Sequence, residues 1–176
     1  MNRRRFTAGV LLGAVLSAAP EPASAGIIYG GTVTRAQVMA RAHDWLRRRV
    51  RYSQDNGRGR WDVNRGRRYR PDCSGFVCMA WAVDPRNPRF GRALVTWELP
   101  RICTPVTWAG LQAGDILLRT RAGHHRRDHV RLFEAWLDPA RTTASVIESS
   151  GEAGVVSRRT VTQLPRYRPY RYRNIA

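Results

Sequence analysis

Apolar and polar positions follow three distinct rhythms along the chain. From Ala8 to Ala19 the chain is an apolar stretch, with Ser17 its one polar side chain. After Thr34, a candidate N-cap, Val38, Ala42, Trp45, Leu46 and Val50 recur at near-helical spacing, with Arg41, Arg47, Arg48 and Arg51 mostly off that stripe, which predicts a helix over about 35–51. A second helix is predicted from Cys73 to about Ala82; it is apolar nearly all round, the mark of a buried helix, and Asp84-Pro85 halts it. Period-two alternation then takes over. Ile116-Leu117-Leu118 follows the Gly114-Asp115 turn as a strand, His129 to Leu137 reads as the next, and Asp138-Pro139 turns the chain into a partner over Thr143 to Ser149. Val155 to Leu164 reads as a further strand, and a short helix is expected near Arg92–Leu99. The segments 53–70 and 121–128, rich in arginine and glycine, read as surface loops, and the tail from Pro165 as an extended basic arm. Helices followed by a meander of strands predict an α+β fold.

Charge narrows the setting. The chain has 176 residues, with 31 basic side chains, every one an arginine, against 13 acidic ones, giving a net charge of +18. At 43% hydrophobic with six Trp it is no disordered tail, and its length fits one domain. The partner is therefore expected to be anionic. The first 25 residues, with Arg3-Arg4-Arg5 ahead of the apolar run and Ala23-Ser24-Ala25 at its end, have the build of a cleavable secretory signal. The run is shorter than the roughly 18–20 residues of a membrane span, so none is expected after cleavage. Arg-Arg-x-Phe also resembles a twin-arginine export signal. Removing the segment takes away three arginines and one glutamate, so the charge falls only from +18 to +16. An exported protein this basic is expected to meet anionic cell-wall polymer and not nucleic acid. The expected organisation is a signal over 1–25, a leader over 26–34, a domain over 35–164 and the basic arm over 165–176.

Three cysteines leave at least one thiol free. Cys73 and Cys78, five apart on one helix, place their Cα atoms roughly 8–9 Å apart, beyond the ~7 Å reach of a disulfide. Cys78–Cys103 stays open as a bridge, beside the alternative of two buried thiols. No pair has the short spacing of metal ligands, so neither metal nor cofactor is expected. Cys73 is the informative one. With Asp72 as N-cap it lies in the first helical turn, where unpaired N–H groups and the positive end of the helix dipole favour a nucleophilic thiolate.

Asp72-Cys73-Ser74-Gly75-Phe76-Val77 resembles the nucleophile signature of the NlpC-type cell-wall peptidases, papain-like cysteine enzymes that cut peptidoglycan stem peptides. Gly114-Asp115-Ile116-Leu117-Leu118 followed by His129-Val130 resembles their second signature, and Tyr52 stands where the family places a tyrosine near the nucleophile. The resemblance covers about residues 35–154. It implies a papain-like fold with N-terminal helices packed on an antiparallel sheet, Cys73 as nucleophile and His129 as general base. It also implies Tyr52, Asp72 and Ser74 at the substrate and a stem-peptide amide, the D-glutamate–diamino acid bond among them, as the target. The sequence departs from the family pattern twice: no histidine follows His129, and no Trp-Gly-Gly turn follows Tyr52.

Hairpin arithmetic supplies a third catalytic candidate. A turn centred on Pro139-Ala140 sets Arg131 opposite Glu148, on the same face as His129 and within reach of it. Glu148 is therefore expected to orient the imidazole, with a plain Arg131 pair as the alternative; Ser150 and Glu134 are weaker, Glu134 pointing to the opposite face. His124 and His125, in the basic loop, and His43, on the charged side of the first helix, are poor rivals to His129. The expectation is a secreted, wall-associated monomeric peptidase. The alternative is a catalytically inactive, basic wall-binding module of the same fold.

Overall fold

A computed structural model describes residues 26–86, 93–121, 123 and 125–176. The expected export signal and His124 lie outside the described residues. Helix α1 (Arg35–Arg47) starts where Thr34 closes a capping box: its hydroxyl accepts from the Gln37 N–H at 3.1 Å, and the Gln37 side chain accepts from the Thr34 N–H at 3.0 Å. The helix stops short of the expected Arg51 because Arg49 adopts a left-handed conformation, φ 48°. Helix α2 (Cys73–Ala80) is capped by Asp72, and all eight of its residues are buried.

The basic loop after Tyr52 is partly structured. It holds a short 3-10 turn over Asn56–Arg58 and a small antiparallel pair, β1 (Arg60–Trp61) and β2 (Arg68–Tyr69). The expected short helix near Arg92–Leu99 is instead a 3-10 segment over Thr96–Ile102, which leads into β3 (Cys103–Pro105). Then follow β4 (Ile116–Arg119), β5 (His129–Trp136), β6 (Ala144–Ser149), β7 (Val156–Val161) and β8 (Arg168–Tyr172). The main sheet has six antiparallel strands in the order β3-β8-β4-β5-β6-β7. The architecture is α+β.

The tail differs from its reading as an arm outside the domain. β8 lies inside the sheet, pairing with β3 on one side and β4 on the other. Pro169 argues against a central strand because it cannot donate to the ladder. Here it sits opposite Leu117 and still accepts the Val106 N–H at 3.2 Å. The leader is also taken in, since Val33 bridges to Ile175.

Apolar side chains cover both faces of the sheet. Ile116, Leu118, Val130, Leu132 and Ile147 join Trp45, Phe76 and Met79 of the helices in one core. Leu117, Phe133, Val146, Val161, Leu164 and Tyr167 form a second on the other face. The uninterrupted Ile-Leu-Leu run of β4 suits a strand buried on both sides. All three cysteines are buried free thiols, with no Cys78–Cys103 bridge.

Two knots of charge tie the layers. Asp115, fully buried, accepts from Arg35 at the start of α1 at 3.0 Å and from Arg171 of β8 at 2.8 and 2.9 Å. Arg41 is fully buried as well, donating to Asp62 at 2.9 Å, Asn64 at 2.7 Å and the Met79 carbonyl at 2.9 Å. Removing one partner of such a pair leaves the other charged in a dry site. Arg41→Met is therefore expected to cost about 3–5 kcal/mol in urea unfolding. Arg47→Met, at a side chain 70% exposed, should change stability by less than about 0.5 kcal/mol.

Candidate active site

Asp72 fixes the start of α2 with both carboxylate oxygens. Oδ1 accepts from the Gly75 N–H at 2.8 Å, and Oδ2 receives Arg70 at 2.7 and 2.8 Å. Gly75 permits the approach that this needs, because a Cβ there would overlap the Arg70 carbonyl oxygen. Cys73, 8% exposed, thus sits in the first turn of α2, at the floor of a cleft of about 740 Å³. Thr96 closes in from the 3-10 segment, its hydroxyl 3.4 Å from the Cys73 sulfur.

His129 opens β5 and lines the same cleft. Its Nε2 meets Glu148 Oε2 at 2.8 Å, so Nδ1 is the ring nitrogen not engaged by Glu148, and Cys73 in the same cleft acts on the ring's electrostatics. Burial pulls the imidazole's pKa down, but Cys73 and Glu148 together outweigh it and hold it above its ordinary value. Glu148, 1% exposed, shows the complementary shift. Burial pushes it up, while His129 and Arg131 hold it below the usual carboxylate range. Arg131 Nε donates to the same Oε2 atom that meets His129. The two readings of Glu148, partner of His129 or of Arg131, are therefore both realised on one oxygen.

The register that brings these groups together contains a slip. Leu132 faces Ile147 and Phe133 faces Val146, the predicted pairing, whereas nearer the turn Ala135 faces Ser145 and Trp136 faces Ala144. Glu134 is the extra residue of the bulge. It turns to His43 at 2.8 Å, Ser145 at 2.6 Å and Arg158 at 2.6 Å. Burial raises its pKa, and these partners overcome that and bring it to about 2. Neither Glu134 nor His43 lines the cleft.

The expected substrate residues all line it. Tyr52 packs beside Gly151, and burial, then Cys73 and Asp72 nearby, push its hydroxyl above the ordinary range. Ser74 is almost fully buried and donates to Asp72 at 3.4 Å. With its oxygens committed to Arg70, Ser74 and the helix, Asp72 is first a scaffold for the helix start that carries Cys73. Ser150 lines the cleft too, but its hydroxyl accepts from the Ala153 N–H at 3.2 Å.

Pattern reasoning missed one wall. His125, held by Asp128 at 2.9 Å, stacks on Trp97 with ring centroids 4.2 Å apart. Trp97 and Thr96 come from a stretch with no clear period, so only the large apolar ring of Trp97 hinted at either. Among the described residues no group of three or more His, Cys, Asp or Glu is arranged to hold a metal ion.

The raised His129 pKa favours the protonated ring in the folded state. Its contribution to stability is full below the ordinary value of 6.5 and is lost as pH rises through the folded pKa. For Glu148 the contribution is full above 4.5 and is lost as pH falls through its lowered pKa. The stability lost in His129→Gln should therefore peak between pH 4.5 and 6.5. In ring-labelled protein, Glu148→Gln should lower the His129 pKa measured by NMR; an unchanged titration would mean the carboxylate does not act on the ring. Set beside known proteins, the chain matches no family model, and no curated protein is significantly similar to it.

Proposed function

We propose that the protein is an exported cysteine peptidase or amidase of papain-like, NlpC-type construction that hydrolyses amide bonds of peptidoglycan stem peptides. The observation that carries the reading is that Cys73 shares one cleft with His129, whose Nε2 meets buried Glu148 at 2.8 Å. Three chemically complementary groups in one cleft are the set that covalent amide hydrolysis requires.

The thiol proton of Cys73 passes to His129 Nδ1, and the sulfur attacks the amide carbonyl. Negative charge gathers on the carbonyl oxygen, where the N–H of Cys73, in the first turn of α2 and without an intrahelical acceptor, donates to it. The carbon–nitrogen bond breaks as His129 returns the proton to the leaving amine. Water then gives a proton to His129 and attacks the thioester; the carbon–sulfur bond breaks, the acyl group leaves as a carboxylic acid, and His129 returns the proton to the Cys73 sulfur. Glu148 keeps Nε2 engaged throughout, so the ring presents Nδ1 to both steps, and Arg131 holds Glu148 in place.

The target follows from the resemblance and the charge. The signatures around Cys73 and His129 point to stem peptides, the D-glutamate–diamino acid bond among them, and the +16 charge left after removal of the signal suits retention on anionic wall polymer. Among the described residues no helix is long and apolar enough to cross a membrane.

Purified peptidoglycan digested with wild type and variants tests the reading. Cys73→Ala is expected to lose about 10⁴-fold or more in kcat, and Glu148→Gln about 10²–10⁴-fold, with circular dichroism unchanged. Equal release of stem-peptide ends by Cys73→Ala would overturn it.

A further inference from the structure

The carboxylates that line the cleft are all engaged. Asp72 holds Arg70, Glu148 holds His129 and Arg131, Glu152 holds Arg159 at 2.8 Å, and Asp128 holds His125. The cleft guanidiniums are not all matched. Arg70 and Arg131 are committed to Asp72 and Glu148, but Arg119 and Arg127 have no carboxylate partner among the described residues. The latter two are backbone neighbours of His129: Arg119 is its partner in the ladder, and Arg127 precedes it by two residues. Arg159 pairs with Glu152 at 2.8 Å and also reaches Glu148 at 3.8 Å.

Arg119 is also restrained by its surroundings. It ends β4 directly opposite His129 in the ladder. Its Nε donates to the Arg127 carbonyl at 3.2 Å, and its guanidinium lies 5.5 Å from the Tyr167 ring centroid. The same ring carries Arg131 at 5.0 Å. These contacts restrain the head group while making no use of its two terminal nitrogens, the pair that offers parallel N–H donors to a planar acid. Gathering two cations around one aromatic ring costs mutual repulsion, which an incoming anion relieves.

We propose that Arg119, with Arg127 beside it, forms an anion subsite that takes a carboxylate of the peptide substrate next to the scissile amide. The inference rests on the proposed amide hydrolysis and adds its polarity: the substrate presents an acid to the β4 side of His129. A peptide with free carboxylates then binds and reacts better than the same peptide with carboxamides. A charge-assisted contact of this kind is worth about 10–100-fold in kcat/KM.

A stem tripeptide, prepared once with free carboxylates and once with every carboxylate as the carboxamide, tests this. Wild type is expected to prefer the free acid by about 10–100-fold. Arg119→Gln should remove most of that preference, by losing turnover of the acid far more than of the carboxamide, and Arg119→Lys should restore part of it. Arg47→Gln, remote on α1, serves as the control for net charge and should leave the preference intact. Equal loss on both peptides in Arg119→Gln, or an equal loss of preference in Arg47→Gln, would overturn the subsite. If wild type cuts neither peptide, the hydrolysis reading fails and the subsite is judged separately by calorimetric titration of Cys73→Ala with both tripeptides. A tighter acid whose advantage vanishes in Cys73→Ala/Arg119→Gln upholds it; equal affinity, or no binding of either peptide, overturns it.

Discussion

The complete burial of α2 is the constraint around which the molecule is built. An eight-residue helix is too short to stand in water by its own hydrogen bonds. It forms because α1, the sheet and β2 enclose it on every side. Trp45 packs against Phe76, and just past the helix Trp81 stacks on Tyr172 with centroids 5.1 Å apart while its indole N–H donates to the Gly114 carbonyl at 2.8 Å. A helix so enclosed can neither slide nor turn without breaking core contacts. Asp72, Gly75 and Arg70 fix its first turn, and the direction of the Cys73 thiol follows from packing far beyond the cleft.

Arginine plays two opposite parts in this fold. Arg41 and the Arg35–Asp115–Arg171 knot are buried or half-buried devices that tie the first helix to the basic loop after Tyr52 and to the last strand. Such pairs gain little over an apolar filling, but they exact a large penalty for any arrangement that separates them, and so they select one topology. Most of the remaining arginines are exposed and set the field around the molecule. The cleft combines both parts, since Arg131 holds the Glu148 carboxylate while Arg119 keeps terminal nitrogens available.

The candidate triad was readable because each member obeyed a local rule. Cys73 follows an N-cap residue, His129 opens an alternating strand, and Glu148 falls on the His129 face once the hairpin is folded about its turn. That register survives only because of a compensation. The pairing near the turn is offset by one residue, and the bulge at Glu134 restores it before Leu132. Without the bulge Glu148 would move away from His129. Thr96, Trp97 and His125 obey no such rule, because they reach the cleft from irregular segments whose course depends on long-range packing.

The amino-acid sequence alone determined the elements whose signals are short-range: the capping box at Thr34, the Asp72 cap, the apolar helix behind Cys73 and the alternating strands that carry His129 and Glu148. Those signals act over a few residues and need no partner to be recognised. Tertiary structure decided where the tail goes. A segment with Pro169 at its centre and arginines around it carries no local mark of a central strand. It became one because β3 and β4 left a slot between them and Asp115 offered a buried countercharge to Arg171. It also decided that Arg131 and His129 share one carboxylate oxygen, for which of two competing partners an acid takes depends on distances that arise only when the strands are assembled.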